Sequence, residues 1–590
     1  MKNTATSLLL SLLLLVQGGC GTDVPKADRQ GGDRRITLSV IGTNDVHGNI
    51  VERDGAGGLA LFGGYITNLR SVRARDGGAV LLIDAGDMWQ GTLESNLKEG
   101  APVVAAYNAL GYDAAAIGNH EFDFGPEGPA VVATHTGDDP RGALKVRATE
   151  ANFPFLAANL IDDSTGAPVA WPNVQPSLRI QVAGITAGII GVTSRNTPES
   201  TLAAHLVGVR VTELAGTIGA EAEALREAGA QLIIVTAHAG GSCERFEDPA
   251  DLESCIADSE IFAVARALPS GLVDLIVGGH RHKGMAHEVN GIAIISSWSG
   301  GQFFGRVDFH IDARHISDRR IYSPQRICRY VENNSGHCRA TASATASADG
   351  ISQAVYEGRV VRPDNAIARV IAPAVAEAAK LKAEKLGPQL ETAIRRGPVP
   401  ESPIGNLMTD ILLASDPRAD VAIHNTLGGI RADLPPGDLT YGSVYEVFPF
   451  DNRIVHLNLS GAELKTVLAN QIEGPIRRGH TSGIAVDAGC ADGELEITVR
   501  DASGIEILDH DRLLVVTNDF LASGGDDVLT PVMPPDGFKV EFEGPLVRDV
   551  VVDWMRNRGG TLRDDQFIDE SKPRWNFPRP APLVCQLSAR

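Results

Sequence analysis

Five short clusters of metal-capable and acid/base side chains punctuate the first half of this 590-residue chain. They are Thr43-Asn44-Asp45-Val46-His47-Gly48, Asp84-Ala85-Gly86-Asp87, Gly118-Asn119-His120-Glu121-Phe122-Asp123, Thr236-Ala237-His238-Ala239-Gly240 and Gly278-Gly279-His280-Arg281-His282. The third is the densest, with an amide, an imidazole and two carboxylates in six residues. Carboxylate, amide oxygen and imidazole together suit a hard or borderline divalent metal with an acid/base beside it. A carboxylate such as Asp87 has two oxygens and can bridge two ions. Gly278 and Gly279 allow close backbone approach. Any one cluster reads equally well as a polar turn or a satisfied core histidine. Five of them, each after an apolar run, point to one composite site. His135, His205 and His310 lack this placement and receive no role.

The runs before the clusters must position them. Buried strands are expected at Ile36–Gly42, Val80–Asp84, Ala114–Ile117, Phe155–Asn159, Ile185–Val192, Leu232–Thr236, Val273–Val277 and Ile292–Ser296. Helical patterns at Pro102–Leu110 and Val211–Glu227 alternate with them, which argues an α/β domain. In such sheets, ligands and catalytic groups gather at strand C-terminal ends. A soft region follows at 336–362, with an Ala/Thr/Ser repeat at 340–347. Asp364–Leu386 reads as a helix interrupted by Pro373 and stopped by Gly387, with a domain boundary near 360. Beyond it, helices are expected at Ile404–Ala414 and Gly461–Ile472, and strands at Asp420–His424, Arg453–Leu459 and Leu513–Asn518.

The chain exceeds a single core, so two domains are expected. Hydrophobic content of 43% and charged content of 22% are those of an ordinary globular protein. A net charge of −21 makes a nucleic acid polymer a poor partner for the surface as a whole, and none is expected. An anionic substrate needs local positive charge. Lys2 precedes a leucine-rich run, Ser7 to Val16, too short to span a bilayer, which reads as a cleaved export signal. Gly19-Cys20 resembles a bacterial lipobox, with Cys20 as the lipidated new N-terminus and Gln17 in place of the usual aliphatic residue. That implies a cell-envelope protein, periplasmic or outer-surface, held to the membrane by a lipid anchor; plain signal cleavage is the alternative. Six of the seven cysteines remain after Cys20, an even number in an exported chain. Proximity favours Cys243–Cys255 and Cys328–Cys338, leaving Cys490–Cys585, among the 15 connectivities that six cysteines allow.

The motifs resemble those of the metallophosphatase-type 5'-nucleotidase family. Tyr112 and Ile117–Asp123 meet its aromatic-x4-aliphatic-Gly-Asn-His-Glu-Phe-Asp pattern, and Asp45–Gly48 its Asp-x-His-Gly motif. Gly42 stands where the family usually has a larger residue. The resemblance covers about residues 36–577. It implies an N-terminal αββα calcineurin-like metallophosphoesterase sandwich and two divalent ions, zinc, manganese, cobalt or iron. Asp45, His47, Asp87 and His282 would hold the first, with His282 where some relatives use Gln. Asp87, Asn119, His238 and His280 would hold the second, Asp87 bridging. His120 and Asp123, three residues apart, would form a catalytic dyad outside the ligand set. The implied reaction is in-line attack of a metal-activated water on a phosphate ester.

The second half resembles the family's smaller α/β substrate-binding domain through Glu401-Ser402-Pro403-Ile404-Gly405-Asn406-Leu407, Gly428-Gly429-Ile430-Arg431, Phe448-Pro449-Phe450-Asp451-Asn452 and Asn518 to Asp526. By that resemblance Arg431 contacts phosphate, Phe450 and Phe520 sandwich the base, and Asp526 bonds the ribose. Flat apolar rings suit a base and a guanidinium fork suits phosphoryl oxygens. Two positions depart from the pattern. Thr426 replaces the usual Asn, with Asn425 one residue earlier. Pro398 stands where an upstream phosphate arginine is expected, leaving Arg395 or Arg396 to serve.

The expected organisation is a signal and lipobox at 1–20, a tether at 21–35, a metallophosphoesterase domain at 36–335, a linker and linking helix at 336–387, a nucleotide-binding domain at 388–577 and a tail at 578–590. The expected activity is phosphate release from 5'-nucleotides. Alternatives that keep the metals are 2',3'-cyclic nucleotides, UDP-sugars, or a sulfur ester as in thiosulfohydrolases. A non-enzymatic alternative is a surface nucleotide-binding protein.

Overall fold

The computed structural model describes residues 36–341, 350–397, 401–425, 428–474, 479–569, 571–578, 583 and 585. Cys20 with the leader and tether, Pro398 and Thr426 lie outside the described residues. Two sheets form the first half. One has the order His315–Arg326, Phe303–Asp312, Ile36–Thr43, Ala79–Asp84, Ala114–Ala116, Phe155–Leu156, Val174–Gln175. The other has the order Gly284–Val289, Ile292–Ser297, Leu275–Gly278, Leu232–His238, Ile185–Thr193, Ser177–Val182. Their central strands run parallel and read as continuous apolar runs, as strands buried on both faces must.

The sheets share one core, in which Val40, Leu81 and Ile83 meet Ile189, Ile234, Val277 and Ile295. Gly42 is small for a reason found here: a Cβ would lie 2.5 Å from Val277 and 3.2 Å from Ile295 of the facing sheet. Helices Leu59–Asp76, Ala101–Leu110 and Gly142–Glu150 cover the outer face of the first sheet around Phe62, Tyr107 and Leu144. Leu214–Glu227 and Glu260–Ala267 cover the second. The architecture is an αββα sandwich with the metal-capable clusters at strand ends.

Three local expectations need correction. The helix expected from Val211 starts at Leu214, because Glu213 caps it by accepting from Ala215 N and Gly216 N; Val209–Val211 pairs instead with Leu160–Asp162. Pro373 does not interrupt its helix, which runs unbroken as Asn365–Lys382 from the Asp364 cap. Pro373 and Arg369 are both exposed, so the carbonyl that loses its N–H partner can turn to water. Nor does Gly387 stop that helix; Lys385–Leu390 is a strand. Part of the soft region is ordered against the first half: Ala354 and Val361 join its core, and Arg306 bonds Tyr356 and Glu357.

In the second half, a four-stranded sheet has the order Ile454–Ser460, Arg512–Asn518, Val421–Asn425, Gly479–Ser482. Alternate residues face opposite helices. Ala422 and Val516 meet Pro403–Ser415, and Val421, Ile423 and Val515 meet Gly461–Glu473. Ser402 caps the first of these helices through Gly405 N, with Pro403 in its first turn. Gly405 is required because a Cβ there would lie 2.1 Å from the His480 ring. The bridges Cys243–Cys255, Cys328–Cys338 and Cys490–Cys585 are all present, as proximity favoured.

Candidate active site and metal centre

Each cluster emerges where its strand ends, and the backbone turns sharply to aim the side chains. Asp45, His47, Asp87, His280 and His282 all have positive φ, between 48° and 71°. Non-glycine residues are disfavoured there, and such strain concentrates at functional sites. Parallel pairing of Ile36–Thr43 with Ala79–Asp84, and of Leu232–His238 with Leu275–Gly278, sets these ends side by side. Sheet packing then brings both edges to one point.

Candidate ligand atoms of Asp45, His47, Asp87 and His282 lie within 4.8 Å of one another, and so do those of Asp87, His238 and His280. Asn119 Oδ1 completes the second group, 3.0 Å from His238 Nε2 and 3.1 Å from His280 Nδ1. Asp87 belongs to both groups. Its Oδ2 is 3.1 Å from His238 Nε2 and 3.9 Å from His47 Nε2. Asp45 Oδ1 is 3.2 Å from His282 Nε2. The sequence-predicted ligands thus converge. A third grouping, Cys243, Cys255 and His287, offers no thiolate because its sulfurs are joined.

The donor set fits divalent metal. His47 Nδ1 donates to the Gln90 carbonyl at 2.9 Å and His238 Nδ1 to the Ala85 carbonyl at 2.7 Å, which leaves each Nε2 lone pair facing inward. His47 Nε2 lies 2.9 Å from His282 Nε2, a repulsive approach unless a cation or proton is shared. Asp45 and Asp87 are buried, and no lysine or arginine pairs with either among the described residues. Burial holds the His280 imidazole down at about 3, ready to ligate. Burial also pulls His238 down, but the Asp87 carboxylate outweighs it and lifts the ring to about 10. That negative potential is what a divalent cation would neutralise.

Beside the ligands, the turn His120–Phe122 brings His120 Nδ1 to 2.6 Å from Asp123 Oδ2. Burial disfavours the imidazolium, but the Asp123 and Asp87 carboxylates outweigh that and raise the His120 pKa. Asp84 is no ligand. It accepts from Thr43 Oγ1 at 2.6 Å, Tyr107 OH at 2.8 Å and Gly86 N at 2.8 Å, and burial lifts it to about 7. Tyr112, the aromatic of the longer pattern, bonds Thr43 at 2.7 Å and stacks on Tyr107 at 3.9 Å. It fixes the strand ends from behind.

One cavity joins this centre to the second half, with Asp87, Asn119 and His120 on one side and Arg431, Phe450 and Phe520 on the other. Arg431 Nη2 reaches 3.3 Å from His47 Nε2, and its guanidinium lies 5.7 Å from the Phe450 ring centre. Phe450 and His120 stack at 5.9 Å. The Phe520 ring lies where a Cβ on Gly525 would stand, 2.5 Å away, so only glycine fits beneath it. Asp526, also lining the cavity, accepts from Asn425 Nδ2 at 2.8 Å. Arg395 and Arg396 are not brought in. Both are exposed and absent from the lining, and Arg396 turns to Asp433, its backbone N 2.8 Å from that carboxylate.

Several residues in or behind the cavity had no role in the sequence reading. Gln90 lines the cavity, accepts from His47 Nδ1 on its backbone carbonyl and donates from Nε2 to the Pro449 carbonyl at 3.2 Å. Its position three residues after Asp87 was the available signal. Asn44 donates to Asp45 Oδ2 at 2.6 Å and accepts from Ser297 N at 2.8 Å, so it braces the ligand. His205 also lines the cavity and donates to the Val131 carbonyl at 2.7 Å. It follows no strand, so nothing local marked it.

The sandwich gathers candidate metal ligands at its strand ends, an arrangement suited to a phosphoester hydrolase. Residues 375–532 match the family model described as "5'-nucleotidase, C-terminal domain". Protein UshA of Yersinia enterocolitica is 27% identical over 523 residues, covering 84% of this chain and 86% of that protein. A 5'-nucleotidase of Vibrio cholerae is 26% identical over 553 residues, covering 88% and 90%. The crystal structure of a 5'-nucleotidase precursor from Thermus thermophilus superposes with a TM-score of 0.68 at 23% identity, covering 92% of this chain and 100% of that one. The chain is thus similar along most of its length to 5'-nucleotidases, and residues 375–532 match the C-terminal domain of that family.

Proposed function

We propose that this protein is an exported, lipid-anchored, two-metal phosphohydrolase that releases phosphate from 5'-nucleotides. The observation that carries the reading is that both ligand groups share Asp87 and open into the same cavity as Arg431, Phe450, Phe520 and Asp526. In this reading 36–335 carries the chemistry and 388–577 the recognition.

Divalent ions at these ligands would supply Lewis acidity and an activated water. The chain's own groups do the rest. Asp123 orients His120 through Nδ1 and leaves Nε2 for the substrate. The neighbouring carboxylates of Asp123 and Asp87 favour the protonated form of His120, which can donate to a phosphoryl oxygen as charge builds there. Arg431 supplies the local positive charge that the acidic surface lacks. Phe450 and Phe520 flank the base, and Asp526, held by Asn425, takes the ribose hydroxyls. The three disulfides suit an oxidising compartment and support export. No helix among the described residues is long and apolar enough to cross a membrane, so membrane attachment in this reading rests on Cys20.

The test is phosphate release from AMP, ATP, UDP-glucose and cyclic AMP, with and without added Mn²⁺. Metal-dependent release from AMP is expected. Activity confined to UDP-glucose or to cyclic nucleotides would replace the substrate assignment, and no release with metal bound would overturn the enzymatic one.

A further inference from the structure

Glu121 sits in the densest chemical cluster of the chain, yet it belongs neither to the ligand groups nor to the dyad. It is 1% exposed. Its Oε2 accepts from Asp87 N at 2.7 Å and from Gly118 N at 2.7 Å, and its Oε1 accepts from Met88 N at 2.8 Å. All three partners are N–H donors, which is the surrounding a carboxylate matches. Two of them belong to the bridging residue Asp87 and its neighbour; the third opens the loop that carries Asn119 and His120.

Asp87 has φ +57°, which a residue with a Cβ adopts reluctantly. Something must hold it there if its oxygens are to serve both groups. The two loops also interlock. A Cβ on Gly118 would stand 2.3 Å from Asp87 Oδ1 and 2.9 Å from Glu121 Oε2, and one on Gly86 would stand 2.7 Å from Gly118 N. His120 N donates to Asp87 Oδ1 at 2.9 Å, so the dyad is tied to the bridging carboxylate by a second bond.

We propose that Glu121 is a positioning residue that ties the Asp87 loop to the Asn119–His120 loop and so fixes the geometry in which Asp87 is shared by both metal positions. This rests on the two-metal reading of the site. Its effect is exerted through Asp87, not on the substrate.

The test is Mn²⁺ titration of metal-free wild type and of E121Q, with bound manganese counted by elemental analysis and activity read across the titration. In E121Q an amide N–H must face either Met88 N–H or the Asp87 and Gly118 pair, so at least one bond is lost and replaced by a like-polarity contact. The expected result is an apparent Kd for Mn²⁺ raised at least tenfold, with turnover at saturating Mn²⁺ recovering to within about fivefold of wild type. E121D, which keeps the carboxyl group but has a shorter reach, should move the same way, and it decides the question if E121Q does not fold. Tyr65→Phe, which removes a hydroxyl bonded to the Cys328 carbonyl in the same domain, should lower Tm without changing Mn²⁺ affinity. Wild-type Mn²⁺ affinity in the Glu121 variants, with only a lower Tm, would overturn the proposal. So would a turnover loss that saturating Mn²⁺ does not restore, since Glu121 would then act in the chemistry. A wild type that takes up no manganese would overturn the metal reading as well.

Discussion

Acid should destabilise the second half of the molecule through two buried histidines. His424 and His480 are paired across adjacent strands on the face covered by Pro403–Ser415, and both are fully buried. Burial holds His424 down at about 4 and His480 at about 3, against 6.5 in the unfolded chain. The unfolded state therefore binds more protons below pH 6.5, and stability rises with pH there. Above 6.5 neither ring contributes; as pH falls from 6.5 toward 4 each penalty grows. At pH 5 each unfolded ring is almost fully protonated and each native ring almost fully neutral, which amounts to about 2 kcal/mol per histidine and about 4 kcal/mol for the pair. That is a large fraction of an ordinary domain's stability, about 5–15 kcal/mol. Urea unfolding at pH 8, 6 and 5 should follow this loss. The comparison that isolates it is wild type against His424→Leu. Loss of the ring changes stability by some constant amount, but the gap between the two proteins should shift in the variant's favour by about 2 kcal/mol between pH 8 and pH 5. A gap that stays constant with pH would refute the assignment of a buried neutral ring at His424.

Four further outcomes are expected. His120→Asn should keep wild-type metal content while turnover falls roughly 10²–10⁴-fold, the usual worth of a positioned acid/base; loss of metal would make His120 a ligand. Asp87→Asn should lose metal as well as activity, measured by elemental analysis, because an amide is a poor bridge. Phe520→Ala should raise KM for AMP by about 5- to 150-fold, from the roughly 1–3 kcal/mol of base–ring stacking, and leave p-nitrophenyl phosphate unchanged; equal losses for both would make the ring structural. Thiol titration of the denatured, signal-processed and lipidated protein should find no free thiol.

The local chemistry was legible because it is local. An apolar run followed at once by Asp-x-His or Asn-His-x-x-Asp needs only a strand and a turn to aim it, and all the predicted ligands converge. Proximity likewise favoured the short bridges Cys243–Cys255 and Cys328–Cys338, where little chain entropy opposes closure. Tertiary structure decided the rest, because it depends on which surfaces meet. Gly42 is glycine on account of Val277, far away in sequence but on the facing sheet. The proline at 373 is tolerated because that face of its helix meets water, which periodicity alone does not reveal. Arg395 and Arg396 turn away from the cavity, whereas His205 and Gln90 line it, since loop paths answer to packing and to distant carbonyls such as those of Val131 and Pro449. Glu121 was visible as a residue but silent as to role: its partners are backbone amides, and backbone amides carry no sequence signature.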